Sequence, residues 1–329
     1  MNLEEVQARR LARARQRQLR VRRRRRVAAL LAVGLVAVIA VAVALASSGG
    51  GSPTKATKLA LARHRATGHR AGGHGRFHPG STVTGTPTGK PGTTPVPILM
   101  YHVIALPPAG APFPGLYVPA PEFAAQMQAL KSAGWHPVTL DQLEAYWTKG
   151  VPLGPGKPIV LTFDNGYRSQ YVNALPVLQQ LHWVADENIQ LTGLPPSQGG
   201  LTSDQIKGLV SAGWELDTQG ISHADLVALT ASELQAQVAS ARQTIEREYG
   251  VPVNWFCYPS GHYNATVIAE VKAAGYKGST TVIPGWASPQ SDPYRLPRLR
   301  VLGGTSPSAL LAQIASAQSA GPPPSAYGT

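Results

Sequence analysis

Beyond Pro95 the chain alternates short apolar runs rich in β-branched residues with segments whose apolar positions recur every three or four residues. The runs predict strands at 97–104, 136–139, 158–164, 183–190, 213–218, 253–258, 277–282 and 298–302. The periodic segments predict helices near 121–133, 140–148, 169–181, 203–212, 231–249, 264–274 and 306–318. Thr230 and Glu233 form a capping box at the start of the longest helix, whose Leu234, Val238 and Ile245 mark an inner stripe. Gly134, Gly213 and Gly275 follow three of the helices as stops. Seven or eight strand–helix units without long hairpins predict an α/β fold, a distorted (β/α)7–8 barrel. In such a barrel the chemistry belongs at the C-terminal ends of the strands.

The pattern before Pro95 is different. Val27 to Ala46 is a run of 20 residues with no polar side chain, about 30 Å long as a helix, and the arginines Arg22 to Arg26 abut it. This predicts a retained transmembrane helix with residues 1–26 as a basic cytoplasmic segment and everything after Ala46 outside. A cleaved signal is the rival reading, since Ala44-Leu45-Ala46 offers a small-x-small site. Residues 47–95, rich in Gly, Ser, Thr, Pro and His and free of acid, read as a disordered tether, and 321–329 as a disordered tail. The domain proper is expected over 96–320.

Charge divides along the same boundary. The net charge of +13 is +9 in residues 1–26, +7 in 47–95 and −3 in 96–329. A folded part that is mildly acidic excludes a basic nucleic-acid reader, so no nucleic-acid partner is expected, and the arginine run serves membrane lipid. A single cysteine, Cys257, excludes an internal disulfide framework and a cysteine-based zinc site.

The predicted strand ends carry polar motifs. One strand ends in Thr162-Phe163-Asp164-Asn165-Gly166, another runs into Gln219-Gly220-Ile221-Ser222-His223, a third ends in Tyr258-Pro259-Ser260-Gly261, and the first ends in Tyr101-His102. With Leu296-Pro297-Arg298 near the end, this series resembles the polysaccharide deacetylase (NodB-homology) family, carbohydrate esterase family four. In motif order it is most like the branch acting on the biofilm polymer poly-N-acetylglucosamine. The resemblance covers roughly 96–303. It implies a membrane-held hydrolase that removes N- or O-acetyl groups from an envelope or extracellular polysaccharide. It also implies a divalent metal, zinc, that activates water, with Asp164 as base, His102 as acid and His223 as a metal ligand. Tyr258, Pro259, Trp286 and Arg298 are candidates for substrate binding, with core packing the alternative for Trp286 and an ion pair with a barrel carboxylate the alternative for Arg298.

Two ligand positions depart from the family pattern. Asn165 stands where it has an aspartate, and Gln219 where it has a histidine. An uncharged amide oxygen is a poor zinc ligand, so zinc is expected to bind weakly here. The segment Asp186-Glu187-Asn188 puts charge where such strands are usually apolar, and alternation sends Asp186 and Asn188 to one face and Glu187 to the other. Asp186 or Glu187, with Asp217, Asp164 and His223, could form a replacement cation site or simply hydrogen-bond one another. Two further functions stay open: an inactive, metal-poor relative that binds glycan or scaffolds an envelope complex, and a glycoside hydrolase using two carboxylates such as Asp164 with Asp217 or Asp186.

Overall fold

The longest strand explains why the sheet forms where it does. Lys157–Asn165 (β3) is buried from Ile159 onward and is pleated between two apolar surfaces. Its odd-numbered residues Ile159, Leu161 and Phe163 join an outer core with Phe123, Met127, Leu178, Trp214 and Ile314, most of them from flanking helices. Val160, on the opposite face, joins Ile98, Leu140, Trp255 and Leu296 in a second cluster. Phe163 anchors the outer core, with its ring stacked on Tyr101 at 5.6 Å and on Trp214 at 4.9 Å.

A computed structural model describes residues 85–192, 194 and 199–328. The expected cytoplasmic segment, the expected membrane span over 27–46 and most of the expected tether lie outside these residues. Among the described residues no helix is long and apolar enough to cross a membrane.

The remaining strands are Val96–Tyr101 (β1), Trp135–Pro137 (β2), Asp186–Ile189 (β4), Glu215–Thr218 (β5), Trp255–Cys257 (β6), Gly278–Thr280 (β7), Trp286–Ala287 (β8) and Leu299–Arg300 (β9). Their order is β7-β6-β5-β4-β3-β1-β8, with β2 beside β3 and β9 beside β1. All pairings are parallel except that of β8 with the start of β1. The result is an α/β half-barrel of parallel strands. Its open side, between β7 and β1, is spanned by the segment leading into β9, where Leu296 N donates to Ser279 O and Thr281 N to Leu296 O, both at 2.9 Å. The predicted barrel is therefore present but distorted. β9 has only two residues, and the short antiparallel β8 was not expected.

Every predicted helix is present. Ala120–Ser132 (α1), Leu140–Lys149 (α2), Leu175–Leu181 (α3), Ser203–Ser211 (α4), Ala231–Gln235 (α5), Ala241–Tyr249 (α6), Ala265–Ala273 (α7) and Pro307–Ser316 (α8) match the periodic segments. The Thr230 cap forms as predicted. Gly134, Gly213 and Gly275 take left-handed φ of 82°, 86° and 84°, which a glycine stop permits at least cost. Two helices differ in detail, because a π-helical turn precedes α3 at Gln170–Ala174 and another separates α5 from α6 at Ala236–Ser240. Such turns recur at functional sites because one extra residue re-aims a side chain.

Hydrogen bonds reach beyond the expected 96–320 at both ends. Thr88 N donates to Gly150 O at 3.3 Å, Gly92 N to Tyr146 O at 2.8 Å, and Trp147 Nε1 to Thr94 O at 3.0 Å, so the end of the tether packs on the C-terminal end of α2. The tail is not disordered either. Tyr263 and Tyr327 exchange two backbone hydrogen bonds, Tyr263 Oη donates to Pro324 O at 2.7 Å, and Arg295 Nη1 to Pro323 O at 3.2 Å. Composition suggested disorder, but backbone groups need no apolar side chain to pair. Deleting 321–329 removes these four bonds and should lower the unfolding free energy by up to about 4 kcal/mol, at roughly 1 kcal/mol net per hydrogen bond. Denaturant unfolding of the full chain against the deletion measures this.

Candidate functional site

Alternate residues of the strands, even-numbered on β3 and β4 and odd-numbered on β5, climb the inner wall of the barrel. β3 contributes Thr162 and Asp164, β4 Asp186 and Asn188 with Gln190 beyond, and β5 Glu215 and Asp217 with Gln219 beyond. Registration places Asp164 beside Asn188 and Asn188 beside Asp217. A cavity of about 580 Å³ opens at the top of this wall. It receives His102, Asp164, Asn165, Gln219, His223 and Tyr258 from the sequence motifs, so the motifs do converge.

Asp164 sits at its base, 1% exposed. Arg298 grips both of its carboxylate oxygens, Nη1 to Oδ1 at 2.7 Å and Nη2 to Oδ2 at 2.9 Å, and Asn188 Nδ2 donates to Oδ1 at 2.9 Å. Burial would raise the carboxyl, but the Arg298 guanidinium overrides it and the group is held down at about 2. Asp164 is thus ionised at any working pH but already engaged, which weakens it as a base. Arg298 is fully buried and also holds Thr162, the Thr281 carbonyl and the Cys257 sulfur. It does not line the cavity; of its two expected roles, substrate contact and an ion pair with a barrel carboxylate, it takes the second and orients Asp164.

His102 Nε2 lies 3.9 Å from Asp164 Oδ2, and its buried Nδ1 has no hydrogen-bond partner. Burial lowers its pKa to about 4, outweighing the pull of Asp164. The ring is therefore neutral at pH 7, able to accept a proton but not poised as the acid the motif implied. Burial likewise lowers His223.

Backbone strain concentrates here. Of the four described non-glycine residues with positive φ, three line the cavity: Asn165 (82°), His223 (54°) and Ser260 (56°). The two π turns hold these loops. Gln170 Nε2 donates to the carbonyls of His102 and Asp164, both at 2.9 Å, tying together the ends of β1 and β3. Gln237 Oε1 accepts from Ile221 N and Ser222 N, both at 3.0 Å, fixing the loop before His223.

The zinc expected from the motifs does not fit these residues. Asn165 Nδ2 donates to Gln190 Oε1 at 3.0 Å, and Gln219 offers an unpaired amide oxygen. Asp164 is bound by arginine. With no anionic ligand free, the set of two amides and one imidazole lacks the charge that holds zinc and acidifies its water. Among the described residues, the one cluster with metal-ligand spacing is Asp186, Glu215 and Asp217, which does not include His223.

Other candidates are placed elsewhere. Trp286 lies at the opposite end of the barrel, on β8 beside the start of β1, where it packs edge-on against Trp135 and its Nε1 donates to Ile314 O. It is not a substrate platform of this cavity. Pro259 is buried behind Tyr258 and Ser260 and is not among the lining residues. Asp186 and Asp217 are buried below the cavity, and Glu187 points to the opposite face of β4, as alternation requires. Asp164 is the only described carboxylate lining the cavity, so the paired carboxylates of a glycoside hydrolase are not assembled. Sequence reading missed Arg300, Gln190, Tyr117 and Tyr167, which also line it. Arg300 was accessible by strand periodicity, two residues beyond Arg298 and one pleat nearer the mouth. Tyr117 was not, because it comes from an irregular loop.

Replacing Asp164 by Asn leaves the Arg298 charge buried without its counter-ion and should destabilise the fold by about 3–5 kcal/mol in denaturant unfolding. His102 should titrate near 4 by NMR. Its folded value lies below the ordinary 6.5, so the stability it supports is present above 6.5 and lost as the pH falls toward 4. The variant His102→Gln should flatten that share of the acid dependence.

Comparison with known proteins agrees with this geometry. Residues 153–279 match the family profile described as polysaccharide deacetylase. YxkH of Bacillus subtilis (strain 168), whose name assigns it provisionally to the polysaccharide deacetylases, is 31% identical over 222 residues, covering 67% of this chain and 76% of its own. A 60-residue segment, 18% of this chain and 9% of the relative, is 42% identical to the poly-beta-1,6-N-acetyl-D-glucosamine N-deacetylase of Escherichia coli (strain K12). The deacetylase PplD of Streptococcus pyogenes, solved with acetate, superposes with a TM-score of 0.62 at 26% identity, covering 68% of this chain and 99% of that one. With its motifs gathered around one cavity on a parallel half-barrel, the chain belongs to the polysaccharide deacetylase family.

Proposed function

We propose that this chain is a membrane-anchored envelope protein whose cavity receives an acetylated sugar unit of an envelope or extracellular polysaccharide, and that it engages the polymer without a zinc-centred hydrolytic step. The observation carrying this reading is the donor set at the mouth: Asn165 and Gln219 at the two altered ligand positions, and Asp164 closed off by Arg298. The binding surface is retained while the metal machinery is not. A cavity of about 580 Å³ suits a sugar unit with its acetyl group. Phe113, Tyr117 and Tyr167 give the lining aromatic character, and Gln190, Ser222 and Arg300 offer hydrogen-bonding groups. The apolar run 27–46 behind its arginines supports an anchor that places the domain outside the membrane.

One observation favours a second reading, slow removal of O-acetyl groups. His102 is neutral and lines the cavity. It could take a proton from water as the water oxygen joins the acetyl carbon, then return it to the departing sugar oxygen, which needs no metal for an ester.

The full chain in detergent, incubated with an acetylated polysaccharide such as poly-N-acetylglucosamine, should bind the polymer and release no acetate whether or not zinc is added. The double variant Asn165→Asp with Gln219→His should bind zinc at least about tenfold more tightly while retaining polymer binding. Zinc-stimulated acetate release by the unaltered chain would refute the proposal. Acetate release that ignores zinc but vanishes in His102→Gln would establish the second reading.

A further inference from the structure

Below the cavity, four polar side chains form a two-by-two patch on the inner wall. Asp186 and Asn188 stand on β4 opposite their registered neighbours Glu215 and Asp217 on β5. Asp186, Asn188 and Asp217 are fully buried and Glu215 is 7% exposed. Each carboxylate commits one oxygen to a backbone N–H. Asp186 Oδ1 accepts from Leu140 N at 2.8 Å, Glu215 Oε2 from Asp141 N at 3.1 Å, and Asp217 Oδ1 from Trp255 N at 2.9 Å. That arrangement leaves Asp186 Oδ2 and Asp217 Oδ2 without partners. One oxygen from each of the three carboxylates lies within 4.8 Å of the others.

A separate observation comes from a residue that carries no charge. Asn188 gives its Nδ2 to Asp164 on the β3 side, and its buried Oδ1 has no hydrogen-bond partner. With the nitrogen turned to β3, the oxygen is turned toward β5, where Asp217 is the registered neighbour. An amide oxygen without a donor, beside two unpaired carboxylate oxygens, is an arrangement that hydrogen bonds among these groups do not resolve while the carboxyls are ionised, since all three then accept.

No described side chain balances the charge. Arg298 is taken by Asp164. Lys277 Nζ is on Asp141 at 2.9 Å and Glu144 at 3.5 Å. Asp141 is itself engaged by Asn254 Nδ2 and Trp255 Nε1. The N-terminus of α2 supplies two N–H groups and a fractional positive charge, too little for three carboxylates.

We propose that Asp186, Glu215 and Asp217, with the Asn188 side-chain oxygen, hold a hard divalent cation of the calcium type in the floor of the barrel. Two oxygens that share an ion at about 2.4 Å are at most about 4.8 Å apart, and one oxygen of each carboxylate lies within that limit of the others. The ligands are all oxygen, the chemistry calcium selects, and the absence of sulfur or imidazole disfavours zinc. Bound there, the ion ties β4 and β5 to the start of α2. It is distinct from the ligand positions at the mouth, and it does not depend on the proposed function.

The test uses the full chain in detergent, stripped with EDTA and then given 1 mM calcium or magnesium. Calcium should raise Tm by ~5 °C or more, and elemental analysis after dialysis should find about one calcium per chain. Magnesium should raise it less, because it demands tighter octahedral geometry. Asp217→Asn and Asp186→Asn should each lose the shift and the bound ion, whereas His223→Ala should keep both. Glu215→Gln serves the same purpose should either aspartate variant fail to fold. Equal Tm in EDTA and calcium would overturn the proposal, with protons alone satisfying the carboxylates. A shift that persists in the floor variants but disappears in His223→Ala would also overturn it, placing the ion at the mouth. A magnesium response as large as that of calcium would overturn the calcium-type assignment.

Discussion

The bidentate ion pair between Asp164 and Arg298 is the interaction on which the barrel and its site both depend. It connects β3, the longest strand, to the segment that spans the open side of the sheet. Two charges in that interior are tolerable only because their geometry is fork-to-fork and the remaining donors are occupied by Thr162, Cys257 and the Thr281 carbonyl. Cys257 belongs to this network as a packed core thiol. Burial pushes its thiol up to about 12, so it is not a nucleophile at working pH.

The same pair settles what the cavity can do. A carboxylate that orients a guanidinium on both oxygens and receives an asparagine as well has little capacity left for water. The neutral His102 ring beside it is the more available proton acceptor. The pleat then separates two polar zones along one wall. Near the mouth are amides, an imidazole and Arg300. On the floor are carboxylates whose pKa values burial and mutual repulsion push upward, with Glu215 at about 8. Their spacing in sequence differs by only one strand repeat, but their environments differ in solvent access and in the charge around them.

Much of the architecture was legible because it rests on periodicity. The eight predicted strands and seven helical segments all occur, since buried parallel strands and amphipathic helices leave signals of period 2 and 3.6. Tail order was not legible, because the pairing of Tyr327 with Tyr263 uses backbone groups that composition does not reveal. The π turns at Gln170 and Gln237 were read as ordinary helix because one inserted residue barely disturbs the apolar stripe. Trp286 was misassigned because β8 turns antiparallel to β1 at the far end of the barrel, a long-range pairing without a local signature.

By itself the sequence determined the strand–helix alternation, the family, the loss of two ligand side chains, and the facing of Asp186 and Asn188 opposite to Glu187. These follow from residue identity and from the two-residue repeat of a strand. Only the tertiary structure decided that Arg298 closes on Asp164 rather than on substrate, that Glu215 replaces Glu187 beside Asp186 and Asp217, and that His102 is neutral. Each of these depends on which residues from distant strands share a low-dielectric interior, and register and barrel closure decide that, not sequence spacing.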